Sequence, residues 1–224
     1  MNMKKKLLYL SAFFILATFT VQAQIGFGIL GGVNFQNLNG KNYAGDKLEY
    51  DMILGYHAGV NVQIPIAPEF YFQPGLLFST KGAKFVEGSL TFTTKLSYVE
   101  LPLNVVYKGK LGNGFVMVGF GPYLGFGIGG KVITEGGNSK LETKITYQNV
   151  VESGDALYPP YFKRFDAGAN VFVGYEMASG IFLQLDAQLG MLKINPEDNR
   201  AEPFYSDKSV VKNTGFGLSV GHRF

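Results

Sequence analysis

The sequence predicts an all-β fold, an eight-stranded antiparallel up-and-down transmembrane β-barrel. Three observations predict it. Apolar residues recur at every second position in eight segments of the 224-residue chain, which is the period of a β-strand with two different faces. Short connections alternate with long polar ones, as in an up-and-down barrel. The face opposite the apolar one carries mostly Gly, Ser, Asn and Gln rather than dense charge.

Each apolar series is one predicted strand. In chain order the series run from Phe27 to Phe35, Leu54 to Ile64, Phe70 to Phe78, Val99 to Tyr107, Val116 to Phe126, Phe165 to Tyr175, Ile181 to Met191 and Phe216 to Phe224. The fifth lies in residues 111–130, which are uncharged and so resemble a membrane helix. Eight glycines and Pro122 exclude that helix, since Gly costs about 1 and Pro about 3 kcal/mol in a helix interior.

The connections predict which end of the barrel faces which way. Residues 65–69, 109–114 and 178–180 are read as tight turns, and residues 38–50, 80–97, 128–164 and 193–212 as long polar loops. Both chain termini then lie at the end with the short turns. The four long loops lie at the opposite end, which we expect to face outside.

A soluble eight-stranded barrel of the lipocalin type also alternates. Its outer face needs dense charge, whereas small residues suit the crowded interior of eight strands. The large apolar face then meets lipid, where a closed barrel pairs every backbone group. Aromatic pairs on one face, spaced by eight to ten residues, fit two girdles about 25 Å apart. These pairs are Phe27 and Phe35, Phe70 and Phe78, Phe165 and Tyr175, and Phe216 and Phe224.

The N-terminus predicts export. A basic stretch to Lys6, an apolar run from Leu7 to Val21 and the small residue Ala23 form a secretory signal peptide. We expect cleavage near Ala23-Gln24, giving a signal peptide of residues 1–23 and a barrel domain of residues 24–224.

The composition of the remaining chain excludes two classes of feature. Without the three lysines of the signal peptide, the chain has 17 basic and 17 acidic residues. This balance argues against nucleic acid as a partner, and the absence of cysteine excludes disulfides.

Together with the N-terminal signal peptide, three features resemble the PorT-like outer-membrane β-barrel family. They are the Tyr-x-Glu-x-Pro-Leu segment of residues 98–103, the Gly-x-Gly-rich hairpins and the closing segment of residues 217–224. The resemblance implies an eight-stranded barrel in the cell outer membrane, surrounded by its lipid. It also implies insertion by the barrel-assembly machinery, which in many such proteins reads a terminal strand ending in Phe, here Phe224. One branch of the family is associated with protein secretion.

Charged residues with inward parity form a predicted network inside the barrel. They are Lys81, Glu100, Lys108, Asp166, Glu176, Asp186 and Arg223. Buried charges must be paired. A salt-bridged plug and a narrow ion pathway are both compatible with this set, and eight strands favour the plug.

The loop of residues 128–164 is the main candidate for interaction. Tyr158, Tyr161 and Phe162 form a stiff aromatic stretch with two prolines, and aromatic residues are frequent at interaction hot spots. We therefore expect a non-enzymatic structural or interaction component without cofactor or metal, with an envelope protein as a possible partner. A small-solute pore is the alternative. A lipid-modifying barrel enzyme is less favoured, because His57 points inward and His222 lies at the short-turn end.

Overall fold

The computed structural model describes residues 25–157, 160–201 and 207–224. The predicted signal peptide of residues 1–23 and the loop residue Tyr158 lie outside the described residues. Most of the described residues lie in β-strands. Among its residues, no helix is long and apolar enough to cross a membrane.

Eight long strands form a ring in which each strand pairs antiparallel with its neighbours in sequence. The last strand pairs with the first, from Gly28–Arg223 to Lys41–Val210. The all-β class and the eight antiparallel strands of the prediction are thereby confirmed. The strands are β1 (Gly26–Lys41), β2 (Ile53–Ala67), β3 (Phe70–Glu87), β4 (Leu90–Leu111), β5 (Gly114–Gly136), β6 (Phe165–Met177), β7 (Ile181–Gly190) and β8 (Val210–Arg223).

The predicted loop of residues 80–97 is wrong. β3 continues to Glu87 and β4 begins at Leu90, so only Gly88 and Ser89 form the turn, and Gly88 has a φ of 60°. Thr91, Thr93 and Thr94 of this segment are half-buried, and β-branched threonine suits a strand that is partly exposed. Phe85 pairs with Phe92 across the hairpin and stacks on it, with 6.2 Å between ring centroids. The two strands therefore extend as a hairpin.

The predicted loop of residues 128–164 is also largely structured. β5 runs on to Gly136 and turns into a further strand, Ser139–Lys144, which pairs with it. Short parallel pairs then join Thr146–Tyr147 to Tyr161–Phe162 and Val150–Val151 to Glu197–Asp198, and a 3-10 turn follows at Asn199–Ala201. Short strands therefore tie these outer segments together.

The two faces of the ring have opposite polarity. Large apolar side chains on the outside are exposed, whereas Asn, Gln, Ser and charged side chains fill the inside. On the outside, aromatic rings pack across neighbouring strands at two levels. Near the long connections the pairs are Phe35–Phe216, Tyr56–Phe78 and Phe126–Phe165, with centroids 5.2, 5.9 and 5.3 Å apart; near the short turns Phe70 lies 5.4 Å from Tyr107.

Candidate functional site

An ion cluster closes the interior on the side of the long connections. Lys81 on β3 places its Nζ 2.6 Å from Glu100 Oε1 on β4 and 3.0 Å from Asp166 Oδ2 on β6. The side chains of Lys81 and Asp166 are fully buried, and that of Glu100 is 4% exposed. All three side chains face the interior, and the stagger of the strands places them at one level. We call this set the outer ion cluster.

Neutral hydrogen-bond donors complete the outer ion cluster. Tyr123 Oη donates to Asp166 Oδ2 at 3.1 Å, and Asn213 Nδ2 donates to the same oxygen at 2.8 Å. Gln188 Nε2 donates to Glu100 Oε2 at 3.1 Å. The Lys81 ammonium also lies 4.4 Å from the Tyr123 ring centroid, within cation–π range. One lysine and three neutral donors thus hold two buried carboxylates, although the contacts to Asp166 are all made at Oδ2 and its Oδ1 is buried without a hydrogen-bond partner.

A second cluster, the inner ion cluster, lies near the short turns. Glu176 on β6 accepts from Lys108 Nζ at 2.6 Å and from Arg223 Nε at 2.9 Å. Arg223 Nη1 also donates to Asn61 Oδ1 at 2.9 Å. The Arg223 guanidinium lies 5.3 Å from the Phe182 ring centroid. These contacts fill the interior at that level.

A polar cavity of about 70 Å³ lies in the interior, with Glu100 of the outer ion cluster in its wall. His57 is hydrogen-bonded through Nδ1 to Asn34 Oδ1 and through Nε2 to Ser219 Oγ, the latter at 2.7 Å. Asp186 lies 3.4 Å from Ser219 Oγ. A cavity of this size holds a few water molecules.

Of the seven predicted interior charges, the structure brings six into the two ion clusters. The seventh, Asp186, lines the cavity and has no cation within salt-bridge distance among the described residues. Its hydrogen-bond partner is Ser219. Sequence reasoning missed Tyr123, Asn213 and Gln188 as partners of the carboxylates. Alternation along the strands shows that these three side chains face inward. It does not show how far along the ring axis each of them lies.

Ser219, His57 and Asn34 form a hydrogen-bonded series in the order of a nucleophile, a base and an orienting group. Ser219 is only 1% exposed, however, and the adjoining cavity cannot hold a lipid ester. Among the residues that the structure describes, no cluster of three or more His, Asp or Glu could hold a metal ion. The arrangement therefore supports a structural role for these groups.

Two of the predicted interaction residues of the outer loop, Tyr161 and Phe162, are not freely presented. Tyr161 and Phe162 are both half-buried, and Phe162 packs against the apolar cluster of Leu38, Ala83, Leu96, Tyr98 and Ile194. Tyr161 Oη donates to the Ala156 carbonyl at 3.0 Å. These two aromatic side chains therefore hold the loop together.

A neighbouring ion pair also fixes the outer loop. Arg200 stacks over the Tyr161 ring at 5.8 Å and lies 2.6 Å from Asp198 Oδ2. The side-chain hydrogen bond from Arg200 lowers the pKa of Asp198 below its ordinary value. This pair adjoins the short parallel pairing of Glu197–Asp198 with Val150–Val151.

The terminal residue, Phe224, lies at the seam between β8 and β1. Its backbone N–H donates to the Phe27 carbonyl at 2.8 Å. Its ring packs on His222 with 4.6 Å between centroids and is 73% exposed. The side chain therefore points away from the ring interior.

Comparison with known proteins identifies one family. The family model described as "Outer membrane protein beta-barrel domain" matches residues 21–194, and no curated protein matches the chain. Two solved structures resemble the fold at low similarity. The attachment invasion locus protein Ail of Yersinia pestis is 11% identical with a TM-score of 0.36, over 89% of this chain and 99% of that one. An outer membrane channel from Pseudomonas putida F1 is 10% identical with a TM-score of 0.31, over 89% and 95%.

Proposed function

Because the chain belongs to the outer membrane protein β-barrel domain family, we propose that it is a non-enzymatic transmembrane barrel of the cell outer membrane. In this proposal residues 1–23 are removed on export and residues 24–224 form the barrel. The barrel presents its outer loops to another envelope component. A place beside secretion machinery, as in one branch of the PorT-like family, is the finer form of the same proposal.

The inverted polarity of the ring is the observation that carries this proposal. Leu54, Phe120 and Leu185 on the outer face are 65%, 63% and 59% exposed, and similar residues surround the ring. A soluble monomer rarely exposes an apolar patch of more than a few hundred Å². Charged and amide side chains occupy the interior instead. A lipid bilayer is the surroundings in which this distribution is stable.

The filled interior favours an interaction role over transport. The outer and inner ion clusters bury their charged groups at two levels, and the cavity beside them has room for only a few water molecules. A solute pathway would need both clusters to open. The small-solute pore is therefore the second candidate, and nothing in the arrangement of the interior favours it.

The outer loops offer side chains for contact. Leu157 is 77% exposed and Leu141 is 65% exposed, both on the side of the long connections. Exposed leucines on a rigid scaffold are available to an envelope protein. At the seam, the exposed Phe224 is the group we propose the barrel-assembly machinery reads during insertion.

Cysteine labelling in intact cells tests the membrane placement. The chain contains no cysteine, so Leu157→Cys and Asn113→Cys introduce one thiol each at opposite ends of the ring. We expect a membrane-impermeant maleimide to label Leu157→Cys on whole cells and Asn113→Cys only after lysis. Equal labelling of both variants on intact cells, or of neither, would contradict the proposed orientation.

The same two positions test the interaction role. A photoreactive maleimide attached at Leu157→Cys in native membranes should capture one protein reproducibly and in stoichiometric amount. The reagent at Asn113→Cys is the matched control for random collision. Capture of only lipid and abundant neighbours from both positions would contradict the interaction role, while the labelling pattern would still decide the membrane placement.

A further inference from the structure

Three lysines lie side by side on the outward face near the long connections. Lys95 on β4 pairs directly with Lys131 on β5, and Lys131 pairs directly with Lys144 on the strand Ser139–Lys144. The neighbouring Leu96 is fully buried on the inward face, so the three lysines point outward. We call them the lysine row. Like charges directly opposite each other destabilise a sheet, which makes this row costly unless an anion neutralises it.

The protein neutralises the lysine row only in part. Glu142 Oε2 lies 2.6 Å from Lys131 Nζ. Among the described residues, no carboxylate lies within salt-bridge distance of Lys95 or Lys144. The hydrogen bond from Lys131 and the charges of Lys131, Lys140 and Lys95 lower the pKa of Glu142, as expected in a positive field. Two of the three positive charges therefore have no paired anion.

An apolar groove adjoins the lysine row. It has a volume of about 690 Å³ and is lined by the lysine row together with Leu54, Tyr56 and Ile128. These three side chains are 65%, 60% and 50% exposed. The groove lies just beyond the level of the Tyr56–Phe78 ring pair. Lys95 is four residues along β4 from Val99, the partner of Phe78, which is about 13 Å.

Positive charge above an apolar groove fits an anionic amphiphile. We propose that this groove binds one membrane lipid with a phosphorylated headgroup. The ammonium groups of the lysine row hold the phosphate oxygens, and an acyl chain lies on Leu54 and Ile128. Lysine ammonium groups donate strong charge-assisted hydrogen bonds to oxyanions. The inference rests on the proposed membrane placement, since Leu54 and Ile128 then contact acyl chains and the lysine row lies beyond them at the headgroup level.

Lipid titration of the purified full-length mature chain tests this site. The protein in dodecyl maltoside micelles is titrated with diphosphoryl lipid A, with the same lipid after dephosphorylation and with inorganic phosphate. Native mass spectrometry measures the bound fraction. The double variant Lys95→Gln/Lys144→Gln removes the two unpaired charges. The double variant Lys47→Gln/Lys110→Gln removes two exposed charges elsewhere and is the matched control.

We expect the lysine-row variant to bind diphosphoryl lipid A at least tenfold more weakly, and the control variant to bind it as the unaltered chain does. The dephosphorylated lipid should bind as weakly to the unaltered chain as the phosphorylated lipid does to the lysine-row variant. An equal loss of lipid affinity in both double variants would show that only the net charge of the protein matters, and would overturn the site. Full displacement by millimolar inorganic phosphate would make it a free-phosphate site and overturn the lipid assignment.

Failure of the site and failure of the membrane placement are distinguishable. The cysteine labelling of Leu157→Cys and Asn113→Cys reports the placement without involving the lysine row. Normal labelling with unchanged lipid affinity in Lys95→Gln/Lys144→Gln would overturn only the lipid site. Failed labelling would remove the basis of both. Unchanged mobility of the unheated variants on gels confirms that the substitutions leave the fold intact.

Discussion

At the scale of single residues, Lys81 is the most constrained charge in the protein. Its ammonium is removed from water and held by two carboxylates and an aromatic ring. Removing a charge from water costs several kcal/mol, which its partners must offset. Glu100 and Asp166 in turn depend on Lys81, because their remaining partners are neutral donors. A change at Lys81 therefore leaves two buried carboxylates without a cation.

We predict that Lys81→Met lowers the free energy of unfolding by about 3–5 kcal/mol, the usual cost of breaking a buried ion pair from one side. Guanidinium unfolding in lipid vesicles, followed by circular dichroism, measures this loss. Lys131→Met is the control, since Lys131 and Glu142 are 43% and 44% exposed and such pairs contribute about 0–1 kcal/mol. Similar losses in both variants would contradict the account of the outer ion cluster.

Alternation along the strands predicted which charges face inward, but not which of them meet. Lys81, Glu100 and Asp166 lie on three different strands, and the stagger of the ring decides that they share a level. The same stagger leaves Asp186 at the cavity beside Ser219 rather than beside a lysine. His57 and Ser219 meet across the β1–β2 and β1–β8 pairings. Local sequence contains no signal for such contacts.

At the scale of elements, glycine on the inward face of β5 makes room for aromatic rings. Gly119 pairs directly with Phe172 on β6, and a Cβ added at Gly119 would lie 2.2 Å from the Phe172 ring. Phe172 is buried with Val106, Met117 and Phe182. Small and large residues thus alternate across neighbouring strands, as interdigitated packing requires.

We predict that Gly119→Ala destabilises the protein by about 1–3 kcal/mol, because the methyl group would displace a packed ring. Gly129→Ala on the same strand is the control, since nothing lies within 4 Å of the added Cβ there. The midpoints of guanidinium unfolding of the two variants compare them directly. A Gly119→Ala midpoint equal to that of Gly129→Ala would show that the Phe172 ring moves aside without cost.

Strand positions could be predicted from the apolar period, whereas strand ends could not. The period weakens where β3, β4 and β5 leave the apolar band, because their outward face there carries polar residues such as Lys95 and Lys131, whereas the apolar Leu96 faces inward. Residues 80–97 consequently look like a loop although they form a hairpin. Backbone pairing and inward contacts such as Ala83 with Leu96 continue the strands. The outward lysine row lies on the same extension. Its three lysines are far apart in sequence and become neighbours only through strand pairing.

At the scale of the whole molecule, the ring has an apolar outer surface and a filled polar interior. Its outward apolar face and inward polar face follow directly from alternation, and both could be predicted from the sequence. Whether the interior is blocked depends on which side chains of opposite charge meet at the two levels. Those contacts could be identified only from the three-dimensional structure.

We predict that the purified mature chain gives no steady single-channel current in planar lipid bilayers, because both ion clusters block the interior. A variant with both clusters removed, carrying alanine at Lys81, Glu100, Asp166, Lys108, Glu176 and Arg223, is the comparison if it folds. Current from the variant alone would agree with the blocked interior. Steady current from the unaltered chain would contradict it and favour the pore.

The seam between β1 and β8 determines when the ring can close during synthesis and export. Gly28 pairs with Arg223, and the Phe224 N–H donates to the Phe27 carbonyl. One edge of β1 therefore stays unpaired until the last residues of the chain have been synthesised. Contacts between such distant positions form slowly, and an open apolar strand edge is prone to aggregate. In the proposed pathway the whole chain must leave the ribosome and cross the inner membrane before the ring can close. We therefore expect the unfinished chain to be most prone to aggregation during that interval.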